Sequence, residues 1–103
     1  MSSVYSLAVA SDGGKKTFTF GGDLVINHID KMAAEVRGAL AEPADVSVVV
    51  DNPTNIDMTF LQLVVALRHS CAAAGKTFSV SASLKDDLRE LVAKAGLDKE
   101  LGL

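Results

Sequence analysis

The chain has 103 residues, and its ten Lys plus Arg against thirteen Asp plus Glu give a formal net charge of −3. Hydrophobic residues are 49% and charged residues 22%, which suits one packed domain and excludes a disordered tail. An acidic chain with no basic cluster is a poor binder of nucleic acid or of anionic membranes.

Val4 to Ala10 reads as a strand with Tyr5, Leu7 and Val9 on one face. Ser11-Asp12-Gly13-Gly14 is a turn, and Lys16 to Phe20 alternates Thr17 and Thr19 against Phe18 and Phe20. Together these segments predict a β-hairpin. Gly21-Gly22 should break its second strand. A helix is expected from near Asn27, whose side chain can cap free N–H groups. Ile29, Met32, Ala33, Val36 and Leu40 form its apolar stripe, and Pro43 ends the segment.

Val46 to Val50 holds four valines, as a central strand covered on both faces would. Residues 51–55 read as a loop. Asp57 is placed to cap a helix from Met58 to about Ala74, with Gly75 at the left-handed position behind it. Thr77 to Ala82 is a short strand. Ser83, with Asp86 three residues on, resembles a capping box for a third helix whose stripe is Leu84, Leu88, Leu91, Val92 and Ala95. Gly96 ends that helix, with Leu97 packing back onto it. The order strand, strand, helix, strand, helix, strand, helix predicts an α/β fold. A mixed sheet of about four strands would have the valine strand central and three main helices packed mostly against one face.

Three stretches carry a resemblance to a known family. They are Phe20-Gly21-Gly22-Asp23-Leu24-Val25-Ile26; Val48-Val49-Val50-Asp51 through Ile56-Asp57-Met58-Thr59-Phe60-Leu61-Gln62-Leu63; and Gly75-Lys76-Thr77-Phe78-Ser79-Val80. In this order they resemble the STAS domain, the fold of bacterial anti-sigma factor antagonists, over residues 1–103 as a single domain. The resemblance implies a non-enzymatic regulatory module that binds an anti-sigma factor or a related ATP-binding kinase and so releases a sigma factor. It also implies that the partner docks on the loop and helix start that include Asn55, Asp57, Met58, Thr59 and Phe60. In switching members a phosphorylated Ser or Thr follows the Asp. Here Met58 stands in that place and Phe60 replaces a Gly, while the acid ending the core strand corresponds to Val49 or Asp51. Thr59 is the phosphorylation candidate one position on, so constitutive binding, a switch moved to Thr59 and a lost switch all stay open. Leu61 to Arg68 resembles the chemosensory branch of the family, which gives an alternative role as a STAS adaptor in a chemosensory cluster or a lipid-transport ATPase system.

From the residues alone, Asp57 reads first as a plain N-cap, because Asp so commonly caps helices, and Met58 and Phe60 read as either core or contact surface. His28, His69 and Cys71 stand in no triad order, and a helical spacing of two puts His69 and Cys71 on different faces. Gly13-Gly14 and Gly21-Gly22 match no phosphate-binding pattern. One Cys forms no internal disulfide, and one Cys with two scattered His falls short of the ligand set of a tetrahedral zinc site. No enzyme activity, cofactor or metal is expected. Without a signal peptide or an apolar stretch near 20 residues, the expected location is the cytoplasm, with no membrane insertion.

Overall fold

The computed structural model describes residues 4–94 and 96. The chain folds as a mixed open sheet with three helices. In chain order the elements are β1 (Tyr5–Asp12), β2 (Lys15–Leu24), α1 (Ile26–Ala39), β3 (Asp45–Asp51), β4 (Asn55–Ile56), α2 (Met58–Ala73), β5 (Phe78–Ser83) and α3 (Asp86–Lys94). The strand order is β1-β2-β3-β5, with β4 paired to the far end of β2. β1 and β2 are antiparallel, and every other pairing is parallel. The expected hairpin forms around Gly13 and Gly14, both at positive φ, as a two-residue turn between right-twisted strands requires.

β3 is central, between β2 and β5, as the valine run predicts. Its coverage differs from the expectation. Val46, Val48 and Val50 are buried together with Phe18 and Phe20, their neighbours in register on β2. Ser47 and Val49 point to the other face with Thr17, Thr19, Ser79 and Ser81, and none of these is buried. The core therefore lies on one side of the sheet. Met32 and Val36 of α1, Phe60, Leu61, Val64 and Leu67 of α2, and Val92 of α3 join it there.

Three local expectations are corrected. First, β2 does not stop at Gly21-Gly22 but runs on to Leu24. Gly22, at φ +74°, passes so close to β1 that a Cβ would stand 2.5 Å from the Val4 carbonyl oxygen. Only glycine meets both conditions, so Gly22→Ala should cost about 2 kcal/mol. Urea unfolding would measure this, and an unchanged midpoint would contradict the close approach. Second, Asn27 is not a cap: α1 begins at Ile26, Val25 is its N-cap residue, and no side chain of Val25 bonds the helix. Third, Ser83 belongs to β5, where its carbonyl accepts Asn52 N–H at 2.8 Å, and α3 begins at Asp86. The predicted positions of Ala95 and Leu97 lie outside the described residues.

Candidate functional site

The site grows from two parallel strands that end side by side. β4, absent from the sequence reading, pairs with the extension of β2 through Asp23 opposite Asn55 and Leu24 opposite Ile56. The backbone bonds Thr54 N–H to Gly22 O (2.7 Å) and Asp57 N–H to Leu24 O (3.1 Å) flank that pair. β2 leads through Val25 into α1 and β4 leads through Asp57 into α2, so the two helices start next to each other beyond the C-terminal ends of these strands.

Asp57 is the N-cap of α2, as the sequence predicts. Its Oδ1 accepts the N–H groups of Thr59 (2.9 Å) and Phe60 (3.4 Å) and the Thr59 hydroxyl. Its Oδ2 accepts the N–H of Ile26, the first residue of α1, at 2.8 Å. One carboxylate thus serves both helix starts, where free N–H groups and the helix dipoles favour negative charge. This bond is why α1 needs no local cap. Burial of Asp57 pushes its pKa up, but the hydrogen bonds from the Thr59 hydroxyl and from the Ile26, Phe60 and Thr59 amides outweigh it, and the net shift is downward.

The predicted contact residues separate around this carboxylate. Phe60 is fully buried, 5.1 Å edge-to-face from Phe20, and belongs to the core rather than to any surface. Met58 is 45% exposed. Thr59 is partly covered and its hydroxyl is engaged by Asp57, while Asn55 is exposed. Met58 lines a groove of about 370 Å³ with Ile56, Leu61, Leu91 and Lys94. Leu91 is 46% exposed there, and Ile26, held by Asp57 Oδ2, is 61% exposed. The bond from Ile26 to Asp57 and the place of Leu91 in the groove were not legible in their own segments, since only the fold brings α1 and α3 to the start of α2.

The remaining chemistry-bearing residues lie apart. His28 is 3.8 Å from Asp23 and its ring is 5.4 Å from that of Tyr5. His69 is exposed on α2. Cys71 is buried at the C-terminal end of that helix, where desolvation and then the charge of Asp45 push its thiol pKa up, opposite to the shift a nucleophilic Cys needs. Among the described residues no three His, Cys, Asp or Glu stand together as metal ligands, and no helix is long and apolar enough to cross a membrane. No protein-family model matches the chain, and no curated protein matches it either.

Proposed function

We propose that this protein is a non-enzymatic, STAS-like regulatory module of the bacterial cytoplasm that binds a protein partner on the surface formed by the starts of α1 and α2. The carrying observation is the groove beside Asp57 that the exposed side chains of Met58 and Leu91 line, with the exposed Ile26 bonded through its backbone N–H to the Asp57 carboxylate. Large apolar side chains clustered at one edge mark a contact surface more often than scattered ones do, and Met adapts to a partner's shape. The resemblance of the strand, loop and helix-start motifs supports the STAS assignment, and a mixed sheet with helices on one face is compatible with it. By that resemblance the partner is an anti-sigma factor or a related ATP-binding kinase.

In this reading binding is constitutive. Met58 has no hydroxyl to accept phosphate, and the hydroxyl of Thr59 is spent on Asp57. A phosphate on Thr59 would have to displace that bond and set nearly two negative charges beside a carboxylate.

The test is isothermal titration against a partner recovered by affinity capture and identified by mass spectrometry. Met58→Asp should weaken binding by about 1–3 kcal/mol, the range for a contact residue near the centre of an interface. Thr59→Ala should leave affinity nearly unchanged. Equal affinity for wild type and Met58→Asp, with the fold intact by circular dichroism, would remove this surface from consideration.

A further inference from the structure

β1 is an edge strand. Its one side pairs with β2 over the whole strand, and its other side meets no strand among the described residues. Asp23 N–H donates to Val4 O. Because antiparallel partners alternate, Ala8 and Ala10 turn their backbone groups toward β2, while Tyr5, Leu7, Val9 and Ser11 turn theirs outward. The usual devices that blunt such an edge are missing along the middle of the strand. β1 has no Pro, its one charged residue is Asp12 at the very end, and the register with β2 has no bulge. On the helix side of this edge Val9 is 43% exposed.

We propose that this edge pairs with β1 of a second copy, antiparallel about a two-fold axis at Ala8, so that the two sheets join into one. Three features choose the second copy and the register. Outward backbone groups meet outward groups when Leu7 of one copy stands opposite Val9 of the other and Tyr5 opposite Ser11. The same register covers both Val9 side chains with Leu7 on the helix side, where like faces stay together. It is also complementary in charge. Lys16 Nζ donates to Ser11 Oγ at 3.0 Å, and the Tyr5 hydroxyl donates to the Glu35 carboxylate. Placing Tyr5 opposite Ser11 brings Lys16 of each copy beside Glu35 of the other, twice by symmetry. A register two residues away separates these charges and leaves Val9 or Leu7 facing itself. The other edge, β5, is shorter, at six residues against eight.

The pairing stands independently of the proposed docking surface and is tested on the pure protein by sedimentation velocity from low to high micromolar concentration. Wild type should approach the mass of a dimer and stop there. Val9→Lys should weaken association by about tenfold or more while keeping the circular dichroism spectrum of the folded chain, because the Val9 side chain is 43% exposed on the single copy. Lys16→Glu and Glu35→Lys should each weaken the dimer, and the double swap should restore it. Lys16 is only partly covered and its ammonium meets the Ser11 hydroxyl, so Lys16→Glu tests the interface even if Val9→Lys misfolds. A wild-type monomer throughout, a dimer indifferent to these variants, mass that keeps growing with concentration, or a double swap that fails to rescue would each overturn the proposal.

Discussion

Phe60→Ala is expected to destabilise the protein by about 3–5 kcal/mol, the usual cost of truncating a fully buried Phe. Phe60 is 0% exposed and packs edge-to-face on Phe20, so the cavity would open where α2 meets the sheet. Domains of this size have only about 5–15 kcal/mol of stability in all, so the variant should unfold at much lower urea. Met58→Ala, two residues earlier but half exposed, should cost less than about 1 kcal/mol. Urea denaturation of the pair checks the division between core and surface. Similar losses at both positions would contradict it.

The second large effect is expected at Asp57. Asp57→Ala leaves the N–H groups of Thr59 and Phe60 without their cap, and the Ile26 N–H without its carboxylate acceptor. Losing an N-cap costs about 0.5–2 kcal/mol, and here two helix starts lose it, so a total of about 2–4 kcal/mol is expected. At about 4–8 °C per kcal/mol for a domain near this size, differential scanning calorimetry should resolve it easily. Asp57→Asn separates the two roles. Its amide oxygen can still cap α2, but its NH₂ group cannot accept from Ile26, so about half of the loss should return.

The same variant carries a pH signature. The Asp57 carboxyl is held below its ordinary range in the folded state. A depressed carboxyl contributes stability that is complete above the unfolded-state pKa and is lost as pH falls through the folded value. The wild type should therefore lose stability in acid more steeply than Asp57→Asn. Asp45, lowered mainly by the backbone N–H of Thr77 and then by its side chain, adds a slope of its own. That slope is common to both proteins, so the difference between them belongs to Asp57. Parallel acid limbs would show that Asp57 is not the shared cap of the two helices.

Much of this architecture is legible in the chain because its signals are local. Alternation in Lys16 to Phe20 and the stripe Ile29, Met32, Val36 need only the repeat of a strand or a helix, and both elements appear where the pattern puts them. Asp57 as the cap of α2, and Gly75 at positive φ behind it, depend on neighbours within one helical turn. The remainder was decided by partners far along the chain. Gly21-Gly22 looks like a strand end, yet β2 continues because Val4 and Asn55 supply hydrogen-bonding neighbours on its two sides. The valine run looks buried on both faces, yet all three helices pack on one, and a run of β-branched residues does not record which face they choose. The same holds for the site. The sequence contains Asp57, Met58 and Thr59 in a row, but Asp57 reaches Ile26 only because parallel β2 and β4 set two helix starts side by side, and Met58 shares a groove with Leu91 only because α3 returns to the same face of the sheet. Residue type and short spacing determine what a segment can form. Which distant backbone satisfies its hydrogen bonds, and which side chains share its surface, is fixed only when the sheet closes its register.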